Sequence, residues 1–127
     1  MAIIRIYTGA DGMSHFQEIE PDFQDFQEET RTVEGKTWPL DARAVIHEES
    51  GIIVRRFDPE RSHSWHHAPG RVCAINLSGA VEIEIGDGTK RILGPGDILI
   101  AEDLTGQGHY TREVGPEPRV SVFIPLT

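Results

Sequence analysis

Apolar and polar side chains alternate over residues 80–85, with Val81, Ile83 and Ile85 on one face and Glu82 and Glu84 on the other. A period of two marks an extended strand with one side on a core and the other in water. Gly86-Asp87-Gly88 follows. An Asp-Gly pair accommodates the positive φ of a tight hairpin, so residues 89–93 are expected to return antiparallel. Gly94-Pro95-Gly96-Asp97 ends that strand. Residues 98–101, Ile-Leu-Ile-Ala, form an apolar run too short for a helix and suited to a buried strand. Residues 71–77 are apolar on both faces and read as a central strand, while 43–48, 51–57, 61–67 and 119–125 supply four more.

The N-terminal third is less regular. Residues 3–7, Ile-Ile-Arg-Ile-Tyr, are β-rich and can pair at a sheet edge, within the subunit or across a dimer. Residues 21–41 form a long polar connection. Its one helical hint lies at 23–29, where Phe23 and Phe26 are three apart. This segment is expected to be a covering loop, whether a lid, a clamp on a partner subunit or a surface excursion. Short strands at near-regular spacing with turns between them predict an all-β sandwich or barrel. The expected organisation is one domain over 1–127, with the N-terminal strand and covering loop at 1–42 and the barrel at 43–127.

At 127 residues the chain can bury roughly two-thirds of the surface its unfolded form exposes. The single cysteine, Cys73, cannot form an internal disulfide, and its apolar strand suits a small buried hydrophobe. No leader-like segment and no run approaching ~20 apolar residues is present, so the expectation is a cytoplasmic chain that does not enter membranes. The formal net charge of −9, from 21 acidic and 12 basic residues, opposes binding to nucleic acid or anionic lipid. No serine sits on a sharp strand-to-helix turn and Cys73 lies within a strand, which argues against a covalent nucleophile.

Candidate chemistry gathers between residues 62 and 109. Ser-His-Ser-Trp-His-His at 62–67 opens this stretch, and His109 closes it. If the strands curl into a barrel, its two ends face one interior, so histidines distant in sequence share a pocket. The segments His-His-x-x-x-Arg (66–71), Leu-Ser-Gly-x-x-Glu-x-x-x-Gly-Asp-Gly (77–88), Gly-Pro-Gly-Asp (94–97) and Gly-x-Gly-His (106–109) occur in this order. Together they resemble the small single-domain cupins, from roughly residue 51 to the C-terminus. The resemblance implies a double-stranded β-helix, the cupin jelly roll, packed around a cavity. It also implies a habit of dimerisation, so a homodimer is expected.

Cupins commonly hold a divalent metal through two histidines and a glutamate of a first motif and one histidine of a second. Set against that pattern, the first-motif histidines fall on Trp65 and His67, and the glutamate falls on Val72 or Arg71. The second-motif histidine is His109, and Glu113 stands where the family carries asparagine. Two of four ligands are kept. His63 lies on the same side of an extended strand as His67, but about 13 Å away along the backbone. His66 points to the opposite face unless a bulge re-aims it. Glu102 or Asp103 can add a carboxylate at the His109 end, and a His67, His109 and Glu102 set would suit zinc, iron, manganese or nickel.

The departures support a metal-free alternative. Arg71 is a fixed cation with a planar fork for a carboxylate or phosphate, unless it pairs with Glu102 or Asp103 and is structural. His67 and His109 then act as acid and base, with Trp65 as an aromatic wall and His63, His66, Glu102 and Asp103 as further ligand contacts. The expected function is binding of a small polar or anionic organic ligand. The chain is then either an enzyme of isomerase, lyase or oxygenase type, with catalytic His67, His109 and Arg71, or a non-catalytic metabolite-sensing module.

Overall fold

A computed structural model describes residues 3–33, 36–47, 49–59 and 65–126, without the side chains of residues 6 and 25–41. The described residues form eleven strands and no helix. Strand β1 (Ile3–Thr8) pairs antiparallel with β2 (Ser14–Ile19) as a two-stranded hairpin, so the N-terminal strand finds its partner within the chain. Strands β3 (Gln24–Val33), β4 (Lys36–His47) and β5 (Ile52–Phe57) begin a six-stranded sheet. It is completed by β6 (Val72–Ser78), β9 (Ile98–Ala101) and β11 (Arg119–Pro125), in the order β3-β4-β5-β11-β6-β9. A three-stranded sheet, β10-β7-β8, combines β7 (Ala80–Glu84), β8 (Lys90–Leu93) and β10 (Tyr110–Val114). This is the expected double-stranded β-helix.

The covering loop expected at 21–41, with its helical hint at 23–29, is instead the β3–β4 hairpin. Its sequence hid β3 because polar residues fall at both alternations there, whereas in β4 Trp38, Leu40, Ala42 and Ala44 alternate with Thr37, Pro39, Asp41 and Arg43. Pro39 is tolerated because β5 pairs with β4 only from Asp41 onward, leaving Pro39 flanked by β3 alone. The strand expected at 61–67 reduces, within the described residues, to a bridge between His66 and His109. Residues 60–64, and His63 with them, lie outside the described residues.

Alternation sorts the six-stranded sheet into inner and outer positions. Phe57, Ala74 and Ala101 are buried on the inner face, and Ala42, Ala44 and Val54 on the other. On β7, Val81 and Ile83 turn inward, while Glu82 and Glu84 meet Arg112 of β10 on the outside. The apolar run of β9 is only half buried: Leu99 and Ala101 face in, whereas Ile98 is 60% exposed. Among the described residues β9 ends its sheet, so its outer face has a neighbour strand on one side only. No helix among the described residues is long and apolar enough to cross a membrane.

Candidate functional site

A cavity of about 570 Å³, partly open to solvent, lies between the two sheets. This is within the size range of small-molecule sites. Its long walls come from inward positions of the strands, and one end is closed by irregular chain carrying His66, His67 and His109.

Reciprocal backbone hydrogen bonds build that end. The His66 amide donates to the His109 carbonyl at 3.0 Å, and the His109 amide returns to the His66 carbonyl at 2.8 Å. The Ala68 amide donates to the Asp103 carbonyl at 3.0 Å. The imidazoles of His66 and His109 come to 4.6 Å between centroids. Gly108 permits this approach: its φ is +74°, and a Cβ there would overlap the His66 carbonyl. Gly108→Ala is therefore expected to part the two segments and to cost at least the ~1–3 kcal/mol of a strained left-handed residue. Urea unfolding measures the loss, and NMR of the histidine rings reports the lost proximity.

His109 is oriented by Asp103, whose Oδ2 lies 2.6 Å from its Nδ1. Burial raises the Asp103 carboxyl, but the hydrogen bond and charge of His109, with the Asp103 and Ala68 amides, outweigh it and hold the pKa below the usual aspartate value. An ionised carboxylate only accepts, so Nδ1 is the donor and neutral His109 keeps its lone pair on Nε2. The depressed pKa gives a signed prediction. The stabilisation from this pair is complete above the usual carboxylate range near pH 4 and is lost as pH falls through the lowered value. Unfolding midpoints of the wild type and Asp103→Asn should differ at pH 7 and converge below that range.

Further along the cavity is a row of polar side chains that sequence reasoning missed. Arg43 of β4 stands opposite Arg55 of β5, Arg55 opposite Ser121 of β11, and Ser121 opposite Asn76 of β6. All four line the cavity. The Arg55 guanidinium lies 4.6 Å from the Phe57 ring and 4.8 Å from the Phe123 ring, so stacking holds its plane. At the next level Arg119 forms a bidentate pair with Glu113 at 2.8 and 2.9 Å, linking β11 to the facing sheet. Arg119 also donates to Ser121 at 3.2 Å, and the Ser121 hydroxyl donates to Asn76 at 3.1 Å.

The sequence-derived candidates divide. His66, His67, Arg71 and His109 all line the cavity. His67 Nδ1 donates to the Ala68 carbonyl at 3.0 Å. Arg71 is paired with Glu102 at 2.8 Å, with both side chains well exposed, a contact worth at most about 1 kcal/mol. Trp65 does not line the cavity but meets Tyr110 edge-on at 5.8 Å, and Phe57 and Phe123 form the aromatic wall instead. Glu102 and Asp103 act through Arg71 and His109.

The His67, His109 and Glu102 metal set is not assembled. Glu102 bonds Arg71, and no group of three or more His, Cys, Asp or Glu among the described residues is arranged to hold a metal. These residues do not fit the divalent ion that the resemblance implied.

No family model matches the chain. Over 76 residues it is 33% identical to the cupin-domain-containing oxidoreductase srdB of Neurospora crassa, covering 58% of this chain and 39% of that protein. The chain thus spans about two-fifths of the curated relative's length. Among solved structures, KdgF from a Halomonas species is 24% identical with a TM-score of 0.52, covering 83% of this chain and 94% of that one. The cupin domain of Cnp3 from Schizosaccharomyces pombe is 12% identical with a TM-score of 0.54, covering 96% and 84%.

Proposed function

The chain is a small cupin, and from that premise we propose that its barrel binds a small organic carboxylate and transfers a proton on it. One observation carries this reading: a single cavity contains adjacent guanidinium groups, Arg43 and Arg55, and a histidine braced by a carboxylate, His109 with Asp103. Guanidinium forks bind carboxylates with two parallel hydrogen bonds, which fixes orientation as well as charge. Nε2 of His109 then takes or returns the proton, and Asp103 stabilises the imidazolium that forms. His66 and His67 border the reacting end, while Arg71 and Glu102 sit at its rim. This is isomerase-like or lyase-like chemistry and needs no covalent nucleophile.

The test is solvent exchange. The protein is incubated in deuterium oxide with a panel of long-chain oxo carboxylic acids whose carbonyl lies at the end far from the carboxylate, and followed by proton NMR. Loss of a carbon-bound proton signal adjacent to the carbonyl, faster than in buffer alone, supports the enzyme reading. Carboxylates that raise the melting temperature without exchange indicate a binding module. If no acid in the panel binds, the carboxylate site is rejected.

The expected homodimer belongs to the same proposal. Ile4 and Phe16 project from one face of the β1–β2 hairpin, 53% and 80% exposed, and a second copy would cover them. Phe16→Glu is expected to shift the mass measured by light scattering to that of the monomer; an unchanged dimer would place the interface elsewhere.

A further inference from the structure

The levels of side chains along the cavity identify the class of carboxylate, and this step rests on the carboxylate reading above. The arginine row, Arg43-Arg55-Ser121-Asn76, is one level of the six-stranded sheet. The next inward level towards the histidines is Ile53-Phe123-Ala74-Leu99, joined by register across β5, β11, β6 and β9. The level after that is Pro125-Val72-Ala101. Both are apolar throughout. The facing sheet adds Ile83 and the Thr111 hydroxyl, while Val81 and Leu93 stand beside Glu113 at the Arg119 end of the cavity. Asp103 and His109 follow beyond Ala101.

From Ser121 in the arginine row to Pro125 in the second apolar level, four residues of strand span about 13 Å. A ligand reaching from the guanidinium groups towards His109 must cross that band. We propose that the ligand is an amphipathic monocarboxylate, with its acid group on the Arg43–Arg55 row and an aliphatic or aromatic body along the apolar levels, delivering its reactive end to His109. Polyhydroxylated acids are disfavoured, because each hydroxyl brought against these walls without a partner costs on the order of tenfold in affinity or more. The same walls reward methylene groups, at about fourfold in affinity for each one buried.

The experiment is titration calorimetry of the full chain with butanoate, hexanoate, octanoate, decanoate and galacturonate. The expected result is affinity rising about fourfold per methylene up to the length the cavity admits, with galacturonate weaker than hexanoate. Flat affinity along the series, or tighter binding of galacturonate, overturns the amphipathic ligand but leaves a carboxylate-binding cavity in place. Failure of every acid to bind overturns both. Arg43→Gln tests orientation: it should weaken every member of the series by a common factor. A loss that grows with chain length would place the tail, not the acid group, at the arginine row and overturn the proposal. If this variant fails to fold, the wild-type series and Arg55→Lys, which retains the charge but not the fork, decide the matter.

Discussion

Replacing Glu113 with alanine is expected to destabilise the fold by about 3–5 kcal/mol, the usual cost of breaking a buried ion pair from one side. The side chains of Arg119 and Glu113 are only 8% and 2% exposed. Removing the carboxylate leaves a guanidinium enclosed by Phe57, whose ring lies 3.8 Å away, with Ser121 as its other polar contact among the described residues. For a chain of this length the loss corresponds to a fall in Tm of roughly 10–20 °C, measured by calorimetry or circular dichroism. A double substitution separates the attraction from the stranded charge. Glu113→Ala with Arg119→Met should recover much of the loss, because an apolar pair of similar volume is often no less stable than the ions it replaces. A single-variant loss under 1 kcal/mol would mean that water reaches the guanidinium and the pair is not sealed.

The second large effect is on turnover. On an acid that exchanges its proton, His109→Ala should lower the exchange rate by about 10²–10⁴, the usual contribution of a positioned acid–base group. Affinity for a non-reacting carboxylate should change only a few-fold, because two apolar side-chain levels separate the arginine row from the histidines. That split between rate and binding is what distinguishes a proton-transfer group from a ligand anchor. Equal losses in both would make His109 part of the binding surface instead. Asp103→Asn should fall between wild type and His109→Ala, since its amide can still accept from Nδ1 but no longer offsets the imidazolium charge.

The parts of the fold that could be read from sequence are those where side-chain polarity follows the core. Residues 98–101 and 119–125 coincide with β9 and β11, and the Gly86-Asp87-Gly88 turn joins β7 to β8 as expected. Strand β10 escaped notice because its polarity is inverted. Glu113 turns inward to meet Arg119, while Tyr110 and Arg112 lie outside, stacked at 4.3 Å. Strand β3 escaped because polar residues occupy both of its alternations, so the apolar alternation of Trp38, Leu40, Ala42 and Ala44 in β4 had no matching strand beside it in the sequence.

The candidate site divides in the same way. His67, Arg71 and His109 were legible because glycine-punctuated motifs framed them, and all three line the cavity. Strand parity set His66 on the opposite face from His67 as a metal ligand, yet the chain around it is not a regular strand, and its ring meets His109. Arg43 and Arg55 carried no signal, since an arginine on a strand is read by default as solvent-facing. Only the register that aligns them with Ser121 and Asn76 shows that they share an interior row. Glu113 did carry a signal. It stands where the resemblance expects asparagine, and its partner Arg119 begins the last strand.

Strand β9 brings one more consequence. It completes its sheet with four residues, and Ile98 and Ile100 turn outward, 60% and 48% exposed. A terminal strand bearing isoleucines is a template on which foreign chains can add and fibres can nucleate. Brevity blunts it, as do the Gly94-Pro95-Gly96 break before it and the Glu102 and Asp103 charges after it. Those two carboxylates thus act as gatekeepers of solubility as well as neighbours of the histidine cluster, and neutralising them leaves the seam unguarded.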